Sequence, residues 1–147
     1  MGAYGTCHAI SNKGYDHAIV GADEKFRTVS EIPPVELDKA WHAIHFLLTG
    51  DTRMTLLLSG TQVPGVCEHC EVHRAESIRD LYATINGRTV DELLAAFDVK
   101  IFDDLKIYPG PEWSEIGSSF IRPFLKDFVD FLKSLTDRNL GLMVVIC

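Results

Sequence analysis

The clearest pattern along this chain is a stripe of apolar residues at helical spacing in its first third. The stripe consists of Leu37, Trp41, Ile44 and Leu48, which follow one another at steps of four, three and four. Such steps place side chains on one face of a helix. Pro34 suits a first helical turn because its missing N–H needs no partner there, and Gly50 is a typical residue just after a helix. The pattern therefore predicts a helix over residues 35–49.

Two longer stretches also keep helical spacing. Residues 71–85 and 113–137 place apolar side chains three and four positions apart, and each stretch predicts a helix. Pro123 predicts a kink in the second stretch or a boundary between two helices. An aromatic stripe along that stretch comprises Phe120, Phe124, Phe128 and Phe131. Core packing is the favoured interpretation of the stripe, and a face that binds a partner is the alternative.

Short apolar runs at both ends of the chain predict strands. Residues 3–10 are typical of an opening strand, and residues 142–147 are typical of a strand buried on both faces. Residues 53–59 predict a further buried strand, and residues 60–65 predict a turn. Strands at both ends with helices between them indicate an α+β fold. We expect a single compact domain over residues 1–147, with both terminal strands in one small sheet packed by several helices.

The composition excludes some classes of partner. Fourteen Lys and Arg against 21 Asp and Glu give a formal net charge of −7, which repels phosphate backbones, so we expect no nucleic-acid partner. No stretch reaches the roughly 20 apolar residues of a membrane helix, and the start of the chain lacks the pattern of a secretory signal. We therefore expect a cytoplasmic protein with no membrane partner. The four cysteines do not suggest a disulfide framework, and we expect reduced thiols.

The helix predicted over residues 35–49 also carries polar side chains that could form a small pocket. On that helix Asp38, His42 and His45 would lie on neighbouring turns with Trp41 beside them. A carboxylate, two imidazoles and an indole suit a site that binds a ligand or moves a proton. With the aromatic residues that flank the turn after residue 107, the candidate pocket comprises Asp38, Trp41, His42, His45, Tyr108 and Trp113. The alternative is that His45 is a core histidine satisfied by hydrogen bonding.

A second candidate site lies in the middle of the chain. Cys67, Cys70 and His73 follow one another at steps of three, with His69 among them, and two thiolates at this spacing can bind one zinc ion. The set is only half of a structural zinc site, which needs a fourth ligand. Redox chemistry at the cysteine pair and two idle thiols are the alternatives. We expect no cofactor, with zinc as the exception to test.

Three motifs carry a resemblance to a known family. They are LDKAWHAIHFLLTG at residues 37–50, IYPG at residues 107–110 and WSE at residues 113–115. With them the chain resembles the YfbM-like family of uncharacterised bacterial proteins. The resemblance implies an α+β fold and a bacterial cytoplasmic protein, and it brings no established catalytic residues. Residues 51–76 depart from the family pattern, so a function particular to this chain could lie there.

Size, charge and the lack of a catalytic motif favour a protein that acts by binding another protein. Our leading hypothesis is an immunity protein that neutralises a toxin, and the charge of −7 would suit a basic toxin. A small-molecule binder or enzyme that uses the candidate pocket is the first alternative. A module stabilised by zinc through Cys67, Cys70 and His73 is the second.

Overall fold

The computed structural model describes residues 2–20, 28–57, 60–110 and 113–147. The strands in these ranges are β1 (Gly5–Ile10), β2 (Val35–Asp38), β3 (Thr61–Gln62), β4 (His69–His73) and β5 (Gly141–Ile146). The helices are α1 (Asn12–Ile19), α2 (Trp41–Thr49), α3 (Ala75–Ile85), α4 (Val90–Leu94), α5 (Val99–Asp104), α6 (Trp113–Ile116) and α7 (Ser118–Asp137). Among the described residues, no helix combines the length and the apolar character that crossing a bilayer requires.

The five strands form one antiparallel sheet in the order β2-β1-β5-β4-β3. The two terminal strands pair at its centre, from Gly5 opposite Ile146 to Ile10 opposite Gly141. This confirms the predicted α+β fold and the predicted pairing of the chain ends. Strand β2 lies at one edge of the sheet and pairs with β1, while the two-residue strand β3 lies at the other edge.

The two faces of the sheet bury different clusters. The main cluster includes Cys7 of β1 and Val144 of β5, which lie opposite each other, together with residues of α2, α3 and α7. The smaller cluster on the other face includes Ile10, Met143 and residues of α1 and β4. Alternate side chains of a strand point to opposite faces, so each central strand contributes to both clusters.

The helix predicted over residues 35–49 is wrong in its first turn. Residues Val35–Asp38 form β2, where Glu36 lies opposite Thr6 and Val35 lies opposite Cys7. The chain turns at Asp38, whose φ is +48°, and α2 begins at Trp41. Leu37 is fully buried in the strand, as it would have been in a helix, so its apolar character did not distinguish the two structures. The predicted helix end at Gly50 is confirmed by its φ of +71°.

The helix predicted over residues 71–85 begins later than expected. Residues 69–73 belong to β4, which pairs with β5 along its length, and α3 starts at Ala75. Within residues 53–57 of the predicted strand 53–59 there is no strand, and residues 58–59 lie outside the described ranges. The predicted turn at residues 60–65 contains β3 at its start. Strand β4 was missed because its partner β5 lies at the far end of the sequence, which local spacing does not show.

The predicted break near Pro123 lies elsewhere. Pro123 is exposed and sits inside the continuous helix α7. The boundary between α6 and α7 falls at Gly117, whose φ of +70° is a conformation that glycine adopts without strain. Core packing of the aromatic stripe is confirmed for Phe128 and Phe131, which are buried, whereas Phe124 is half-buried.

The expectation of reduced thiols is wrong for two of the four cysteines. Cys67 and Cys147 form a disulfide with their Cα atoms 5.1 Å apart. Strand pairing brings them together, because β4 and β5 run side by side and His69 lies opposite Ile146. Cys7 and Cys70 are free and buried. A separation of 80 residues concealed the pair in the sequence.

Candidate functional site

The two histidines of α2 are buried and each uses both ring nitrogens. The Nδ1 atom of His42 accepts the backbone N–H of Tyr108 at 2.8 Å, and its Nε2–H donates to the carbonyl of Thr52 at 3.0 Å. The Nδ1 atom of His45 accepts the backbone N–H of Leu57 at 2.9 Å, and its Nε2–H donates to Asp51 at 3.1 Å. An imidazole that accepts at one nitrogen and donates at the other is neutral. Both rings therefore hold the segment after α2 in place.

The aromatic members of the candidate pocket pack in two separate groups. The indole N–H of Trp41 donates to the carbonyl of Ala3 at 3.0 Å, and the hydroxyl of Tyr108 accepts the N–H of Ala3 at 2.7 Å. The rings of Trp41 and Tyr108 stack with centroids 5.4 Å apart. Trp113 lies in a separate group, where its ring meets Phe102 edge-on at 5.2 Å. Tyr108 and Trp113 thus belong to two different packed groups of rings.

The predicted six-residue pocket is not assembled as an open site. Trp41, His42 and Tyr108 come together, and His45 lies next to His42 with ring centroids 6.4 Å apart. Asp38 is at the end of β2, so its predicted place on the helix beside the histidines is wrong. The side chains of Trp41, His42, His45 and Trp113 are at most 2% exposed. Their polar atoms bond backbone groups and Asp51, which is the behaviour of a structural cluster.

Burial disfavours the charged form of both α2 histidines. It lowers the pKa of His42 and of His45 from the usual 6.5, although hydrogen bonds to Thr52 and Asp51 oppose this shift. Hydrogen bonds from His45 and then from Arg53 lower the pKa of Asp51 to about 2. A neutral imidazole therefore faces an ionised carboxylate at neutral pH.

We expect the free energy of unfolding to fall as the pH drops below about 6.5. The unfolded histidines bind protons near pH 6.5, whereas the folded ones do so only at lower pH, so acid favours unfolding. Each imidazole can contribute at most about 1.4 kcal/mol per pH unit. Urea unfolding between pH 7.5 and 5.5 measures this slope. The double variant His42→Gln/His45→Gln should reduce this slope and leave the smaller part that comes from His8, whose pKa burial also lowers. The exposed His17→Gln is the control, and an equal slope in the wild type, the double variant and the control would refute the assignment to His42 and His45.

A second polar cluster surrounds Glu71 of β4. The carboxylate is 5% exposed and accepts three hydrogen bonds. Its donors are His73 Nε2 at 3.3 Å, His69 Nε2 at 3.1 Å and the Thr55 hydroxyl at 2.6 Å. Burial raises the pKa of Glu71, but the bonds from His73, Thr55 and His69 together outweigh burial and lower it. The chain thus carries an ionised carboxylate in its interior at neutral pH.

Strand alternation builds this cluster, and sequence analysis missed it. In β4 the residues His69, Glu71 and His73 point to the face of the main core, while Cys70 and Val72 belong to the smaller cluster on the other face. The pattern His-x-Glu-x-His at period two was a signal that could have found the cluster. The prediction of a helix from Glu71 concealed it.

A cavity of about 340 Å³ opens next to Glu71. It is lined by Arg53, Met54, Thr55, Leu57, Gly60, Gln62, His69 and Glu71. Gly60 packs closely against the cluster, since a Cβ there would lie 2.8 Å from the His73 ring and 3.0 Å from the Glu71 carboxyl carbon. The cavity therefore combines a buried carboxylate with a cationic side chain.

The predicted zinc ligands do not come together. Cys67 is in the disulfide with Cys147, and Cys70 and His73 point to opposite faces of the sheet. Burial, followed by the nearby Glu71 charge, raises the pKa of Cys70 to about 11, which opposes the thiolate that a metal requires. Within the described ranges, no three His, Cys, Asp or Glu side chains are grouped to hold a metal ion. The prediction of a Cys67, Cys70 and His73 site is wrong.

A groove of about 480 Å³ runs between α7 and the segment that leads into β2. Its lining residues are Ile32, Pro33, Pro34, Val35, Glu36, Phe124, Asp127, Asp130, Phe131 and Ser134. Three of these residues are acidic and none is basic. The floor is apolar because Phe124 and Phe131 project from α7. The groove thus combines three acidic side chains with two members of the aromatic stripe, while Phe128 of the same stripe is fully buried in the core.

These features define an α+β protein with a five-stranded antiparallel sheet, a closed histidine and tryptophan cluster, an internal carboxylate and an acidic groove. The chain belongs to the family described as a domain of unknown function, DUF1877, whose model matches residues 1–145. It is similar in structure to YfbM from Escherichia coli, a protein of unknown function, with a TM-score of 0.65 and 16% identity over 98% of this chain and 99% of that chain. The likeness to YfbM shows the fold alone. No curated protein matches.

Proposed function

We propose that this protein binds a basic protein partner through the groove between α7 and β2. The observation that carries the proposal is the pairing of an aromatic floor with acidic walls formed by Glu36, Asp127 and Asp130. Glu36, Asp127 and Asp130 are exposed to a cationic segment, which would compete with Lys126 for Asp130, since those two side chains pair at 2.9 Å. Aromatic and apolar anchors supply most of the binding energy at such surfaces, while complementary charge speeds encounter and selects the partner.

We further propose that the protein is a bacterial, cytoplasmic immunity protein and that its partner is a toxin. A net charge of −7 supports capture of a basic toxin by electrostatic steering. The same charge disfavours nucleic acid as the occupant of the groove, since its phosphates would meet three carboxylates. The alternative use of the α2 cluster as an enzyme site has less support, because the imidazoles of His42 and His45 are engaged in backbone contacts.

We expect Asp127→Lys/Asp130→Lys to abolish protection of a sensitive bacterial strain against the product of the neighbouring gene. Reversing two charges on the groove wall opposes a basic partner and should slow association by about tenfold or more at low salt. The matched control is Glu68→Lys/Asp80→Lys, which changes the same charge at exposed positions outside the groove. Co-expression measures protection, and stopped-flow mixing of the purified proteins measures the association rate.

The outcomes distinguish binding through the groove from the immunity function. Loss of protection in the groove variant alone, with an association rate that falls as salt rises, supports both claims. Protection retained by the groove variant would show that the groove is the wrong surface. A toxic neighbour that the wild-type chain neither binds nor neutralises would refute the immunity function.

A further inference from the structure

The cavity beside Glu71 is separate from the groove and serves no role in the proposed protein binding. An ionised carboxylate inside a protein is costly unless hydrogen bonds compensate for its lost hydration. Two carboxylate oxygens offer about four acceptor positions in all. His69, His73 and Thr55 occupy three of them. Within the described ranges no further donor bonds the Glu71 carboxylate, so one acceptor position remains for a donor that enters from the cavity.

The opposite charge comes from Arg53 in the same cavity lining. Its Nε–H bonds both oxygens of Asp51, at 3.0 and 3.1 Å, and Asp51 in turn accepts from His45 of α2. Within the described part of the chain, no hydrogen bond engages the terminal nitrogens of Arg53. The Arg53 side chain is 68% exposed, so these donors are open to a ligand. The hydrogen bonds from His45 to Asp51 and from Arg53 to Asp51 thus orient the Arg53 guanidinium at the mouth of the cavity.

The cavity thus has a negative group inside, a positive group at its mouth and an apolar side formed by Met54 and Leu57. Its volume of about 340 Å³ falls within the usual range of small-molecule sites, about 300–1,000 Å³. A ligand with a cationic donor and an anionic acceptor close together would complement both the open acceptor position of Glu71 and the terminal nitrogens of Arg53. An arginine fork pairs with a carboxylate through two parallel hydrogen bonds.

We infer that this cavity is a binding site for a free α-amino acid with an apolar side chain. Its ammonium group donates to the remaining acceptor position of Glu71. Its carboxylate accepts from the terminal nitrogens of Arg53, and its side chain packs on Met54. Thr55 and His69 position Glu71 by filling its other acceptor positions.

The test is an NMR titration of the full chain with L-leucine at concentrations to about 10 mM, a range that detects millimolar binding. We expect saturable shifts of the Thr55, Gly60 and His69 amide signals. Arg53→Gln should weaken binding by about tenfold or more, the usual effect of losing a hydrogen bond between charged groups. The matched control is Arg88→Gln, since Arg88 is exposed and lies outside the cavity lining.

Two modified ligands test each charge without changing the protein. N-acetyl-L-leucine lacks the ammonium group and L-leucinamide lacks the carboxylate, and neither should saturate in the same range. Glu71→Gln should also abolish binding, and its amide spectrum checks that it folds. The inference is overturned if L-leucine produces no saturable shift, or if it binds equally well to Arg53→Gln and the modified ligands bind as L-leucine does.

Discussion

Trp41→Ala is expected to lower the free energy of unfolding by about 3–5 kcal/mol, the range for truncating a buried tryptophan. Trp41 is 2% exposed, stacks on Tyr108 and donates its indole N–H to Ala3. Gly5 lies against it, because a Cβ at Gly5 would be 3.0 Å from the Trp41 Cβ. The truncation leaves a cavity between α2 and the start of β1 and removes the indole donor from the partly buried carbonyl of Ala3. Urea unfolding followed by circular dichroism gives the change in midpoint and slope.

Two further variants separate packing from hydrogen bonding at this position. Trp41→Phe keeps a ring against Tyr108 but loses the indole donor, so it should cost less than Trp41→Ala. Tyr4→Ala removes an aromatic ring that is 49% exposed and should cost under about 1 kcal/mol. If Trp41→Ala proved as stable as the wild type, the tryptophan would not be structural, and the candidate pocket of α2 would regain support.

Breaking the Cys67–Cys147 disulfide should lower the free energy of unfolding by about 2–5 kcal/mol. The bond closes a loop of 80 residues, and a covalent link across so long a segment restricts the unfolded chain strongly. The folded sheet should persist, because β4 and β5 pair over five residues and Cys147 exchanges two backbone hydrogen bonds with Tyr4. Comparing the wild type with Cys67→Ser/Cys147→Ser by urea unfolding measures the effect.

A reducing agent provides the matched control for this prediction. It should destabilise the wild type as much as the double serine substitution does, and it should leave the double variant unchanged, since Cys7 and Cys70 are not bonded. Equal stability of oxidised and reduced wild type would contradict the expectation. Trapping of free thiols in cells tests the proposed cytoplasmic location. Reducing compartments keep such pairs as thiols, so a cytoplasmic location predicts that Cys67 and Cys147 are trapped in reduced form.

The predicted elements that the structure confirmed are those that a short stretch of sequence can indicate without knowledge of its distant partners. Gly50 ends α2 because its backbone adopts a left-handed conformation there, and that preference belongs to glycine itself. The apolar run of β5 and the stripe of α7 were also recognised, since each contains its own hydrophobic period. Local spacing could not show that Val35 and Glu36 extend along β1, because their partners lie about thirty residues earlier.

The amino-acid order alone was enough to establish an α+β chain, its pairing termini and the helical face that carries His42 and His45. The roles of its polar groups required folding, because they depend on distant partners. His45 has a structural role because its ring bonds Leu57 and Asp51. Cys67 forms a disulfide with Cys147, which lies 80 residues away in the sequence. Glu71 acquired its donors only when β4 formed and the segment after α2 folded over it. Residue type sets what a side chain can do, whereas its neighbours in space determine its burial, protonation state and hydrogen bonds.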